Sequence, residues 1–116
     1  MLTRKALAEL LEAVREELVR HDLSPDRMIL FGSYARGGLH AYSDVDIAIW
    51  NHEFTGDGLI DLEKIRPLLR KFRGLDLKTF PIGATAENFD PFIAVIEKTG
   101  VEILPGMQSF SRIEYP

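Results

Sequence analysis

Three aspartates and a Gly-Ser pair hold the residues of this sequence best suited to chemistry. Asp44 and Asp46 stand two apart in Ser43-Asp44-Val45-Asp46-Ile47, so on an extended strand both carboxylates project from one face. Asp76 is second in the run Leu75-Asp76-Leu77-Lys78-Thr79-Phe80, with Leu75 and Leu77 pointing the other way. If the two strands are neighbours, Asp76 joins Asp44 and Asp46 in one cluster. Three clustered carboxylates repel one another strongly unless a cation sits between them. Hard oxygen ligands with room for phosphate oxygens suit Mg²⁺. Gly32-Ser33 directly follows the apolar run Met28-Ile29-Leu30-Phe31. Glycine lets backbone approach a ligand closely, a serine hydroxyl can donate to phosphate, and a helix starting there would add free N–H groups. A phosphate holder beside a metal-binding carboxylate cluster is the equipment for phosphoryl or nucleotidyl transfer. The bland alternatives are a strand-ending turn for Gly32-Ser33 and solvated edge-strand faces for the aspartates.

The elements that must position these residues follow from periodicity. Leu7, Leu10, Leu11, Val14 and Leu18 recur at helical spacing between charged residues, which predicts an amphipathic helix over about residues 3–20 with Thr3 as N-cap. Ser24-Pro25-Asp26 ends it, and Met28 to Phe31 reads as a buried strand. Gly37-Gly38 and the polar stretch to Ser43 read as a short helix or turn and a loop. Residues 44–50 alternate, giving a strand with one apolar face formed by Val45, Ile47 and Ile49. Leu59, Leu62, Ile65, Leu68, Leu69 and Phe72 mark a second amphipathic helix, which Pro67 should kink or divide. Residues 75–80 form a third strand. Asp90-Pro91 offers an N-cap followed by proline in the first helical position, Gly100 stops that helix, and Val101 to Leu104 is a last strand. The alternation predicts an α/β (α+β) fold, a small mixed β-sheet flanked by helices.

Composition narrows the function classes. The chain has 116 residues, no cysteine, a net charge of −4 and 46% hydrophobic residues. Wholesale disorder is excluded, and the length suits one domain over residues 1–106 with a tail at 107–116. The acidic balance disfavours direct nucleic-acid binding through phosphate neutralisation. Without cysteine there are no disulfides, zinc–thiolate sites or thiol nucleophiles. Glu9, Glu12, Glu16 and Glu17 interrupt any signal-peptide core, and no stretch has the roughly 20 apolar residues of a membrane span. A soluble cytoplasmic protein is expected. The acidity is concentrated: between Gly37 and Glu63 lie six acids (Asp44, Asp46, Glu53, Asp57, Asp61 and Glu63) and no Lys or Arg.

Gly32-Ser33-Tyr34-Ala35-Arg36-Gly37, followed by Ser43-Asp44-Val45-Asp46-Ile47, resembles the signature of the DNA polymerase β-like nucleotidyltransferase superfamily. The spacing and the Ala35-Arg36-Gly37 extension are similar to its minimal nucleotidyltransferase (MNT) branch. The resemblance implies a polymerase β palm-like fold in which Gly32 and Ser33 hold the nucleotide triphosphate. It further implies that Asp44 and Asp46 bind two metal ions, and that Asp76 binds the catalytic metal and helps deprotonate the acceptor hydroxyl. Arg36 could touch a phosphate or fix the loop through an ion pair. Tyr34 reads as packing, His40 as a plain loop histidine, and His21 and His52 have no ligand-like spacing. Lys64, Arg66, Arg70, Lys71, Arg73 and Lys78 form a basic stretch, either a solvated helix face or a docking surface for an acidic partner. Lys78 falls on the side of Asp76.

MNT proteins of this size resemble the antitoxin half of two-gene modules whose other half is a helical HEPN ribonuclease toxin. The resemblance therefore implies transfer of AMP from ATP, with Mg²⁺, to a tyrosine hydroxyl of that toxin. Two alternatives compete: an antitoxin that only occludes its toxin, and a nucleotidyltransferase acting on a small molecule. A domain of this size with apolar strand edges could also pair with itself or with its partner.

Overall fold

The computed structural model describes residues 2–37 and 44–104. The tail at 107–116, His40 and Ser43 lie outside the described residues. The order is α1 (Arg4–Arg20), β1 (Arg27–Phe31), α2 (Ser33–Arg36), β2 (Val45–Trp50), α3 (Gly58–Lys71), β3 (Leu75–Phe80), α4 (Phe92–Thr99) and β4 (Val101–Leu104). Local signals set these limits. The Thr3 hydroxyl accepts from the Ala6 N–H at 3.1 Å, and the Asp57 carboxylate accepts from Leu59 N–H at 2.9 Å to start α3. Asp90 accepts from Phe92 N–H at 2.9 Å, but α4 starts one residue later than expected, with Pro91 rather than Asp90 at the N-cap.

The four strands form one mixed sheet in the order β3-β2-β1-β4. β1 is antiparallel to both β2 and β4, whereas β2 and β3 are parallel and joined by α3. Helices cover both faces. Leu7, Leu11, Val14 and Leu18 of α1 pack with Ile65 and Leu68 of α3 over Met28, Leu30, Val45, Ile47 and Ile49. On the opposite face Ile93 and Ile96 of α4 pack over Ile29, Ala48, Trp50 and Phe80.

Two sequence expectations change here. β2 has apolar residues on both faces, because Ala48 and Trp50 lie under α4 while Val45, Ile47 and Ile49 lie under α1 and α3. Pro67 does not divide α3, which runs unbroken from Gly58 to Lys71. Proline there removes the N–H that would serve the Glu63 carbonyl, and both residues are exposed, so water can take the donor's place. Trp50 is tied down by its ring N–H, which donates to the Ala84 carbonyl at 2.9 Å. Arg27 lies 4.9 Å from the centre of the Trp50 ring and pairs with Glu97 at 2.8 Å and Glu102 at 3.2 Å. No helix among the described residues is long and apolar enough to cross a membrane.

Candidate active site

Three chain segments meet at one end of the sheet. β1 runs out into Gly32 and α2, β2 begins just after Asp44, and Asp76 is the second residue of β3. Phe31 is opposite Asp46 in the antiparallel ladder, and Asp46 is beside Asp76 in the parallel one. Strand alternation places Asp46 in phase with Ala48 and Trp50, and Asp76 in phase with Phe80, on the face that α4 covers. Asp44 and Asp76 are exposed and Asp46 is partly buried between them. The condition on which the aspartate cluster depended, neighbouring strands, is met.

Gly32 closes against this cluster from β1. Its φ of +70° is a backbone conformation that side chains disfavour. A Cβ added there would also overlap the Asp46 carboxylate. Glycine is therefore needed twice over, and the close approach it permits is to Asp46. Ser33, partly buried, opens the four-residue α2, and the exposed Arg36 ends it. Tyr34 is buried, and its hydroxyl accepts from the Leu2 N–H at 2.9 Å, which is a packing role.

The electrostatics are those of crowded like charges. Burial first, then the charge of Asp76, a hydrogen bond with the Asp76 side chain and the charge of Asp44, push the Asp46 carboxyl up to about 6, and the Arg36 charge pulls it back. A hydrogen bond between two carboxyl groups needs a proton between them. A bound cation would do the same work of neutralisation. Among the described residues no group of three or more His, Cys, Asp or Glu side chains is drawn together closely enough to encage an ion. The donor chemistry nevertheless fits a hard divalent ion: Asp44, Asp46 and Asp76 offer only carboxylate oxygens, and Asp44 and Asp76 are exposed.

Other candidates fall elsewhere. His21 and His52 lie 3.4 Å from Glu17 and Glu53 on the surface. Of the basic stretch, Lys71 pairs with Glu17 at 3.1 Å and Arg66 with Glu63 at 2.6 Å, while Lys64 bonds the Glu53 carbonyl. Lys78 shares the Asp76 face, with its Nζ 5.5 Å from the centre of the half-exposed Phe92 ring.

Asp61 is a second acidic centre, which pattern reading missed. Fully buried, it accepts on Oδ1 from the Thr55 N–H at 2.9 Å and hydroxyl at 3.0 Å, and on Oδ2 from Gly56 N–H at 2.9 Å and the Thr79 hydroxyl at 2.6 Å. Burial alone would raise this carboxyl; the donors outweigh it and hold it below its ordinary value. The signal was present: Asp61 shares the core phase of α3 with Ile65, Leu68 and Phe72, where a carboxylate needs internal donors.

Comparison with known proteins follows the same lines. A curated relative from Methanocaldococcus jannaschii, named "Putative protein adenylyltransferase MJ0141", is 33% identical over 102 residues, covering 82% of this chain and 99% of its own. A crystal structure described as "a putative nucleotidyltransferase from Sulfolobus solfataricus" superposes with a TM-score of 0.61 at 20% identity, over 86% of this chain and 81% of that one. A toxin–antitoxin crystallised with AMP-PNP gives a TM-score of 0.60 at 20% identity, over 91% of this chain and 79% of its own. Both structures share the fold. The nucleotidyltransferase domain profile itself matches residues 8–101, nearly the whole described sheet and its helices, and this chain therefore belongs to that family and is a nucleotidyltransferase.

Proposed function

We propose that the chain is a Mg²⁺-dependent protein adenylyltransferase, the antitoxin of a two-gene module, which moves AMP from ATP onto a tyrosine hydroxyl of a HEPN ribonuclease toxin and so silences it. The observation that carries this reading is the in-register pair Asp46 and Asp76, closed off by Gly32, at an open sheet end. The name of the 33% identical relative favours a protein acceptor, and the toxin–antitoxin neighbour with AMP-PNP favours ATP and a toxin partner.

In this reading Gly32 and Ser33 hold the triphosphate, and Arg36 adds a positive charge at its edge. Asp44, Asp46 and Asp76 would hold two Mg²⁺ ions, which when bound neutralise the phosphates and polarise the α-phosphorus. Asp76, exposed at the lip, takes the proton of the acceptor hydroxyl. The acceptor oxygen bonds to the α-phosphorus as the α–β bridging bond breaks, and pyrophosphate leaves.

The test is co-expression with the product of the neighbouring gene, followed by incubation with ATP and Mg²⁺ and mass measurement of that partner. An AMP-sized gain that disappears in Asp44→Asn is expected. Full neutralisation of the partner by an Asp44→Asn/Asp46→Asn double variant, with no adduct, would leave occlusion as the mechanism. AMP transfer to small hydroxyl compounds, with none to the partner, would point instead to a small-molecule acceptor.

A further inference from the structure

β3 is the outermost strand, and among the described residues nothing pairs with its outer side. The hydrogen bonds on its inner side fix what faces outward. Val45 N–H donates to the Gly74 carbonyl at 2.7 Å and Asn51 N–H to the Phe80 carbonyl at 3.1 Å. Even-numbered residues therefore bond β2, and the N–H and C=O groups of Leu75, Leu77 and Thr79 point away from the sheet. Along this edge a groove of about 420 Å³ is lined by leucines of α3 and β3 and also by Asp76, Lys78, Thr79 and Asp90. An open ladder beside a groove that offers both leucines and charges is a template for another strand.

The sequence of the edge says which strand fits. In an antiparallel pairing of β3 with its own copy, centred on Leu77, each Leu75 faces the other copy's Thr79, and each Asp76 faces the other copy's Lys78. The three outward residues of both strands then exchange their backbone bonds. Asp76 and Lys78 occupy the intervening positions, where side chains approach most closely. Shifting the centre to Asp76 or to Lys78 would set like charges directly opposite, so the charges select the Leu77 register. Lys78 forms no ion pair among the described residues, which leaves it available for such a partner.

We propose that two copies of this chain join through β3, making a continuous eight-stranded sheet in which Lys78 of each copy stands beside Asp76 of the other. The two Leu77 side chains and the groove walls of both copies close the apolar face. On the opposite face each carboxylate cluster gains a cation that its own chain does not supply at that position. The two proposed sites thereby share one surface related by a two-fold axis.

Sedimentation velocity on the full chain from about 1 µM to about 1 mM tests this directly. Wild type is expected to become dimeric within that range. Asp76→Lys and Lys78→Asp, each alone, set like charges opposite and should weaken self-association on the order of tenfold or more. An equimolar mixture of the two variants restores both attractive pairs and should dimerise when neither does alone. Amide hydrogen exchange on the unaltered protein gives an independent reading: the Leu75 and Leu77 amides should become protected as concentration rises. A wild type that stays monomeric, variants that self-associate as well as wild type, a mixture that fails to recover, or edge amides indifferent to concentration would each overturn the proposal. None of these readouts involves nucleotide transfer, so their failure leaves the catalytic reading untouched.

Discussion

Asp46 and Asp61 are both withdrawn from water beside the parallel pair β2 and β3, yet their surroundings drive them in opposite directions. Asp61 has four donors, and its carboxyl is held below the ordinary range. Asp46 faces two further carboxylates and its carboxyl rises to about 6. The first arrangement is complete and ties the 55–56 loop, α3 and β3 together. The second crowds like charges that only the Arg36 charge offsets among the causes acting on Asp46. Burial alone thus says nothing of an acid's role; the count of donors against competing anions decides it.

The comparison can be broken most forcefully at Asp61. Asp61→Ala would strand the Thr79 hydroxyl and the Thr55 and Gly56 amides, and should cost about 3–5 kcal/mol in urea unfolding. A loss under about 1 kcal/mol would mean that this centre is ornamental. Next in size is Gly32→Ala, which combines the strain of a positive φ with overlap of the Asp46 carboxylate, about 2–3 kcal/mol in all. Gly74→Ala is its control. That glycine has a similar φ of +75°, but the nearest atom to an added Cβ is 3.9 Å away, so only the strain of about 1 kcal/mol should appear. Equal losses at the two glycines would remove the steric argument for Gly32.

The smallest change has the opposite sign. Asp46→Asn removes a crowded charge and should stabilise the metal-free protein at pH 7, by about 1 kcal/mol after allowance for solvent screening. Because the folded-state value lies above the ordinary 3.8, wild-type stability from this group is fullest below about pH 4 and is lost as pH rises to about 6. The advantage of the asparagine variant should therefore open between those values and stay level above them. Asp61 acts in reverse: its contribution is present above the ordinary carboxylate value and disappears as pH falls through its lowered one. Mg²⁺ should raise the melting temperature of wild type and leave Asp46→Asn nearly unmoved. An asparagine variant less stable than wild type at pH 7 would contradict the crowding described for Asp46.

What the sequence disclosed depended on the range of the interactions. The alternation in 44–50 and 75–80 reports which side chains share a face, and it placed Asp44, Asp46 and Asp76 on comparable faces before any pairing was known. Whether those faces adjoin is a question of sheet order, which a local pattern does not contain; β2 and β3 prove to be neighbours in register. Asp61 escaped notice because its donors come from six residues before it and eighteen residues after it. Trp50 and Ala48 were left without a core because α4, more than forty residues downstream, supplies it. Pro67 misled in the other direction, since a missing hydrogen bond on an exposed helix side is tolerated.

The register between β2 and β3 also guards the accuracy of assembly. Were β3 to slip by one residue, Asp76 and Lys78 would be thrust into the layer beneath α3, while Leu75 and Leu77 would lie bare on the opposite face. Such a misfold forfeits apolar burial and strands two charges at once. Proofreading of Asp46 against Asp76 is thus delegated to ordinary leucines, and errors in the candidate site are rejected by the core.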